Sequence, residues 1–179
     1  MIAVIYSINN QQDNQNSSTM KKLLIIKTGS TLPSLSEKKG DFEDWVLSGM
    51  GIDKDNVMIA DVCNGYPLPD YDQVSGVVIT GSHAMVTEHH DWSERTAEWL
   101  QKSIGRNIPI LGICYGHQLL AYSLGGEVGD NPKGRELGTV NVFLNEETQN
   151  DKLLNGLDNP LKVHVSHEQT VLKLPKNAK

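Results

Sequence analysis

The sequence predicts an α/β fold: a doubly wound, mostly parallel sheet with helices on both faces. Three observations predict it. Short apolar runs without alternation recur at Leu23–Lys27, Gly76–Thr80 and Ile108–Ile113, as in strands covered on both sides. Segments of helical period lie between and after them. One strand, Ile108–Ile113, runs straight into a helix through a glycine-flanked turn, which is how parallel βαβ units are joined.

The elements follow in order. Met20-Lys21-Lys22 leads into Leu23–Lys27, the first strand of the domain. Phe42, Trp45 and Val46 repeat at helical spacing, and Asn56–Asp61 reads as the second strand. Gly76–Thr80 is a central strand that ends in Gly81-Ser82. Asp91 can cap a helix whose apolar face is Trp92, Ala97, Leu100 and Ile104. After Ile108–Ile113, a helix over His117–Leu124 turns Leu119, Leu120, Ala121 and Leu124 inward and stops at Gly125. Leu137–Phe143 and Val163–His167 are later strands. Ahead of all these, Asn9–Ser18 is polar, low in complexity and unable to bury apolar surface. Residues 1–19 are therefore expected to be a disordered leader or extension, and residues 20–179 the domain.

Composition excludes several classes. Hydrophobic residues make up 38% and charged residues 21%, as in a globular domain. The net charge of −6, with no basic stripe, argues against a nucleic-acid partner. The apolar run Ile2–Tyr6 is far short of the roughly 20 residues that span a bilayer, so no membrane partner is expected. Two cysteines, Cys63 and Cys114, with no Cys-x-x-Cys, exclude a disulfide scaffold and a zinc ribbon. A reducing, cytoplasmic setting is expected. His89-His90-Asp91 reads as a solvated loop before a helix, and neither a metal nor a cofactor is expected.

The chemistry concentrates in Gly112-Ile113-Cys114-Tyr115-Gly116. A strand, a Gly-x-Cys-x-Gly turn and a helix coincide there, the layout of a nucleophile elbow. The flanking glycines allow a tight turn with space above the sulfur. The helix N-terminus favours a thiolate at Cys114, and the N–H of Tyr115 points where an oxyanion would form. Gln118, four residues after Cys114, shares its helix face. His117 lies in the first turn, where a positive charge would oppose the helix dipole, and is expected to face outward. Cys63 lacks any such context and reads as ordinary packing.

The run Gly112–Ala121 resembles the nucleophile motif of class I glutamine amidotransferases, most of all the stand-alone, GMP synthase-like group. The resemblance extends from Met20 to the C-terminus and implies a flavodoxin-like architecture. It implies Cys114 as the nucleophile and Gln118 as a substrate-holding residue. Val78–Val86 resembles the glycine turn that supplies the second oxyanion donor, here backbone N–H groups near Gly81 and Ser82. Gly125-Gly126 with Gly134–Gly138 resembles the family's Gly-Gly and Arg-Glu-x-Gly segments. Val165–Val171 resembles the strand end that contacts the amino-acid part of glutamine, which makes Ser166 and His167 substrate-side residues. The implied reaction is hydrolysis of the glutamine side-chain amide to glutamate and ammonia through a Cys114 thioester. The resemblance leaves room for an ammonia-accepting synthetase partner.

One part of the family pattern is missing. Its base is a His in a His-x-Glu motif on a late strand, and none of the six histidines here is followed by Glu two residues on. The domain is expected to lack its C-terminal part, with the base and its Glu beyond Lys179, and this chain is expected to turn over little. Within the sequence, His164 and His167 lie three apart on one strand and face opposite sides. Glu168 points away from His167 and cannot orient it. Two other readings stay open: a γ-glutamyl peptide hydrolase, which shares Gly-x-Cys-x-Gly, and a non-catalytic ligand-binding module of the same fold. Intracellular-protease and deglycase families also use a strand–Cys–helix turn, but no matching early Glu is present.

Overall fold

Continuous apolar strands must be covered on both faces, and the chain meets that demand with a central sheet between helices. The computed structural model describes residues 3–6, 20–151, 154–176 and 178. The sheet is built from β1 (Ala3–Tyr6), β2 (Lys22–Lys27), β3 (Val57–Asp61), β4 (Val74–Ile79) and β5 (Ile110–Ile113). Their spatial order is β1-β5-β4-β2-β3. β2 to β5 run parallel, with Leu23 opposite both Val57 and Gly76, and Val77 opposite Ile110. β1 is antiparallel to β5, Ala3 facing Ile113 and Tyr6 facing Ile110. Four residues of the expected leader thus add a strand to the sheet edge, while residues 7–19 lie outside the described residues.

Alternate residues of each strand serve the two faces. Leu24, Ile26, Val77, Ile79 and Ile110 join one core with Trp99, Leu100, Leu119 and Leu120 of α3 (Asp91–Ile104) and α4 (Tyr115–Ser123). Ile25 and Val78 are equally buried on the other side, where α2 (Phe42–Met50) packs on β2 and buries Leu47. Between β2 and α2 lies α1 (Pro33–Lys39), which buries none of its residues and has Pro33 in its first turn. Sequence period did not announce α1, because it has no apolar face to reveal.

The later strands do not extend the parallel sheet. β6 (Glu127–Asp130) pairs antiparallel with β9 (Gln169–Lys173), and β7 (Glu136–Val142) pairs antiparallel with β8 (Leu161–His167). The burial pattern of β7 explains this: most of its residues are exposed, and Leu137 and Phe143 are each 76% exposed, unlike a strand covered on both faces. The β6–β9 ribbon lies against α4, and the end of β8 reaches Cys114 through the Ser166 carbonyl, at the carboxyl end of β5 where ligands of such folds sit.

The carboxyl end of β2 is tied down by charge. Lys27 donates to Asp41 Oδ2 at 2.9 Å and Glu43 Oε1 at 2.7 Å, and Asp41 Oδ1 accepts from the amides of Thr31 and Phe42. Burial would raise the Asp41 pKa, but those hydrogen bonds outweigh it and bring it down to about 2. Burial likewise opposes the charge on Lys27, and the two carboxylates outweigh it and raise its pKa. A lowered carboxylate contributes stability above its unfolded pKa of 3.8, lost as pH falls through about 2. Asp41→Asn is expected to cost about 2 kcal/mol at neutral pH. Urea unfolding of both proteins should show that difference shrinking below pH ~4; a difference independent of pH would contradict it.

Candidate active site

The turn between β5 and α4 forces the backbone into a shape that only particular residues permit. Cys114 caps α4 with φ 54° and ψ −107°, a conformation side chains rarely adopt. A β-carbon at Gly112 would lie 2.6 Å from the His117 nitrogen, and one at Gly116 would lie 2.5 Å from the Ile79 carbonyl oxygen. Both glycines are needed for α4 to pack this tightly on β4 and β5. Gly116 N–H donates to Thr80 O at 3.2 Å, which ties the helix start to the end of β4. Thr28 in turn latches β2 to β4, its hydroxyl donating to Thr80 O at 2.9 Å and its amide to Thr80 Oγ1 at 3.0 Å. Thr28 and Thr80 are both buried, and their part in holding the elbow depends on pairing between distant segments.

The structure places the other predicted groups around the sulfur. The ideal β-carbon of Gly81 would sit 3.8 Å from Cys114 Cβ, so the Gly81 turn flanks Cys114. The Ser82 hydroxyl accepts from the Ala84 amide at 3.1 Å and shapes that turn. Tyr115 offers only its backbone to the site: its N–H favours charge on the Cys114 sulfur, while its side chain is 1% exposed. Its hydroxyl shares a 2.7 Å hydrogen bond with Ser93 Oγ, and its ring tilts on Trp92. Burial pushes the Tyr115 phenol up to about 12, so it stays neutral.

Burial also decides the protonation of Cys114. The helix N-terminus favours a thiolate, and the Tyr115 N–H lowers the thiol pKa, but desolvation is larger and raises it above the ordinary value. Burial thus opposes the thiolate that the helix N-terminus favours. His117 departs from expectation in a second way. It does not face outward; it lines the same cleft as Cys114, because the end of β8 folds over the first turn of α4. Desolvation first, then the neighbouring His167, push its pKa down to about 4.

The cleft joins the two parts of the fold. Cys114, His117 and Gln118 from α4 line it with Ser166, His167, Gln169 and Thr170 from β8 and β9. Cys114 Sγ lies 3.9 Å from the Ser166 carbonyl oxygen, to which it can donate. Gln118 is buried, and its Nε2 donates to Gln169 O at 2.6 Å, so it anchors the ribbon as well as lining the cleft. His167 Nε2 lies 2.8 Å from Glu136 Oε2, across the β7–β8 pair. His164, on the opposite face of β8, shares a hydrogen bond with Thr139 Oγ1. Sequence reasoning missed Gln169 and Glu136. Gln169 Nε2 donates to Thr87 Oγ1 at 2.7 Å and Asp130 Oδ1 at 3.1 Å. The Asp130 carboxylate accepts only, which fixes the amide orientation and leaves Gln169 Oε1 buried without a hydrogen-bond partner. The cleft is open to solvent, and its enclosed part measures about 30 Å³.

No group of three His, Cys, Asp or Glu side chains among the described residues is arranged to hold a metal. His89 and His90 pair instead with Glu94 and Glu88. No helix among the described residues is long and apolar enough to cross a membrane. Cys63 lies in the turn Val62–Asn64, away from the cleft.

Known proteins resemble this chain throughout the described domain. The family model "Glutamine amidotransferase class-I" matches residues 59–179. The chain is 35% identical over 112 residues to gamma-glutamyl peptidase 4 of Arabidopsis thaliana, covering 62% of this chain and 45% of that protein. It is 36% identical over 118 residues to a glutamine-hydrolyzing GMP synthase subunit of Pyrococcus abyssi, covering 65% and 58%. It thus spans about half the length of these curated relatives. A glutamine amidotransferase of Thermotoga maritima superposes with a TM-score of 0.70 at 21% identity, over 89% of this chain and 66% of that one. A glutamine amido transferase of Methylobacillus flagellatus superposes with a TM-score of 0.68 at 24% identity, over 88% and 59%. These two structural likenesses bear on the fold.

Proposed function

Because the chain belongs to the class I glutamine amidotransferase family, we propose that Cys114 attacks the side-chain amide of glutamine and forms a γ-glutamyl thioester. The observation that carries this reading is the shared cleft that brings Cys114 together with Gln118, Ser166 and His167. The Tyr115 N–H and the Gly81–Ser82 turn are the donors for the oxyanion, each worth about 3 kcal/mol. Gln118, Ser166 and His167 meet the amino-acid end of the substrate, and Gln169 Oε1 is a further acceptor for a donor group brought into the cleft. Ammonia leaves, and water hydrolyses the thioester to glutamate.

The Ser166 carbonyl lies 3.9 Å from the Cys114 sulfur, so a substrate that reaches the sulfur displaces that contact. A separate ammonia-accepting synthetase is the partner class in this reading, in keeping with the Pyrococcus abyssi relative, which is one subunit of its GMP synthase. The similarity to a gamma-glutamyl peptidase favours a second substrate class, small γ-glutamyl amides that carry an amine in place of ammonia.

A substrate panel tests both. Glutamine and a series of γ-glutamyl dipeptides are incubated with the protein, and released ammonia, released amino acid and glutamate are quantified. Ammonia from glutamine at a low rate, because residues 20–179 hold no His-x-Glu, with little dipeptide cleavage, is the expected result. Preferential dipeptide cleavage would move the assignment to the peptidase reading, and no product from either would leave a binding module.

A further inference from the structure

The peptide bond between Gly81 and Ser82 is held from the side away from Cys114. Its carbonyl oxygen accepts from Thr28 Oγ1 and from Thr80 Oγ1, each at 3.2 Å. The Thr80 hydroxyl is itself oriented, because its oxygen accepts from the Thr28 N–H at 3.0 Å. The Thr28 hydroxyl makes its shorter contact, 2.9 Å, with Thr80 O. Thr28 and Thr80 are 0% and 1% exposed, so water does not compete for these bonds.

That arrangement breaks the alternation of a strand. Thr80 N–H donates to Ile26 O, so Thr80 faces β2. In a continued strand the next residue, Gly81, would turn its polar groups to the opposite neighbour, β5. The Gly81 carbonyl is turned back to β2 instead. A trans peptide unit is planar, so the Ser82 N–H points opposite to that carbonyl. It points away from β2, to the side on which β5 and Cys114 lie. Among the described residues, no group accepts a hydrogen bond from the Ser82 N–H.

Resting on the thioester reading above, we propose that Thr28 and Thr80 are positioning residues that aim the Ser82 N–H at the carbonyl oxygen of the substrate amide. A half-turn of this peptide would present the Gly81 oxygen there, and it would repel the charge that develops on the substrate oxygen. The two hydroxyls hold the carbonyl back and select the orientation that stabilises that charge. Gly29 completes the support. An ideal β-carbon on it would lie 2.8 Å from Ser82 Oγ and 3.0 Å from Ser82 Cα, so glycine is what lets the chain after β2 lie against Ser82.

The test separates oxyanion stabilisation from thiol reactivity. The γ-p-nitrophenyl ester of glutamate acylates Cys114 as the S–C bond forms and the ester C–O bond breaks. Nitrophenolate leaves without needing a proton, and its release is followed against a Cys114→Ala blank. Iodoacetamide alkylation of Cys114 is the companion reaction: it displaces iodide at a saturated carbon and forms no oxyanion. Thr28→Val and Thr80→Val keep the branched shape and remove the hydroxyl, Thr28→Ser returns it, and Gly29→Ala crowds Ser82 directly. Circular dichroism establishes that each is folded.

Losing an oxyanion donor outright costs about 10²–10³ in rate, and misdirecting one is expected to cost about tenfold. Acylation at saturating ester should slow by that factor in Thr28→Val, Thr80→Val and Gly29→Ala, with KM and the alkylation rate kept. Thr28→Ser should recover most of the loss. Acylation by Thr28→Val and Thr80→Val as fast as by the unaltered protein overturns the proposal. So does a loss matched by an equal fall in alkylation, which marks general disruption of the elbow. Acylation that does not depend on Cys114 discards the thioester reading and this proposal with it. Acylation that needs Cys114 but neither hydroxyl keeps that reading and discards this one.

Discussion

Gly116→Ala is expected to destroy the folded elbow. Its new β-carbon would lie 2.5 Å from the Ile79 carbonyl oxygen and 2.7 Å from Ile79 Cβ. Ile79 is fully buried in β4, bonded into the sheet on both sides, and cannot retreat. Overpacking a core usually costs about 1–3 kcal/mol, and a clash against backbone belongs at or above the top of that range. Set against a total stability of about 5–15 kcal/mol for an ordinary domain, this should lower the melting temperature by many degrees or leave no soluble protein. Gly81→Ala provides the contrast. Its β-carbon meets Cys114 Cβ at 3.8 Å, an ordinary contact, so the fold should survive. Thermal melting followed by circular dichroism compares the two; equal midpoints for Gly116→Ala and the unaltered protein would show that α4 does not pack on β4 as described.

Replacing Cys114, the proposed nucleophile, should separate chemistry from stability. Cys114→Ala and Cys114→Gly both remove the sulfur, and the low ammonia release expected of the unaltered chain should fall to background in each. Their stabilities should differ. At φ 54° and ψ −107°, a residue with a β-carbon carries strain of about 1–3 kcal/mol. Alanine keeps that strain. Glycine removes it, at an entropic cost of about 0.5–1 kcal/mol. Cys114→Gly should therefore melt at or above the temperature of the unaltered protein and above that of Cys114→Ala. If glycine proved the less stable of the two, the strained geometry at the elbow would be wrong.

Much of this was legible in the sequence, for physical reasons that differ from segment to segment. Strands covered on both faces are continuous apolar runs, so Leu23–Lys27, Gly76–Thr80 and Ile108–Ile113 could be read directly, with boundaries off by a residue or two. The elbow was readable because its geometry excludes side chains at Gly112 and Gly116 and so writes itself into the residue types. α1 left no trace because it buries nothing. Leu137–Phe143 read only as a later strand; that it pairs in a separate ribbon, with Leu137 exposed, was not legible in it. The orientation of His117 was misjudged because a helix-dipole argument sees only the helix; the desolvation that silences its charge comes from β8. Glu136 and Gln169 lay within segments matched to the family, but nothing local to either pointed to its partner. Each matters only once antiparallel pairing has brought it to a partner far away in the chain.

The two halves of the cleft rest on foundations of unequal strength. Cys114 is anchored in the buried sheet, with fully enclosed neighbours in β4 and α4, whereas Ser166 and His167 ride on a two-stranded ribbon with much of its surface in water. Regions with few buried contacts open first and close last as conditions worsen. Warming or mild denaturant would then dissolve the substrate-side wall while the spectroscopic signature of the sheet stayed intact. Loss of function in such a molecule reports the melting of an appendage, and a protein that looks native by its average secondary structure can already have come apart where it acts.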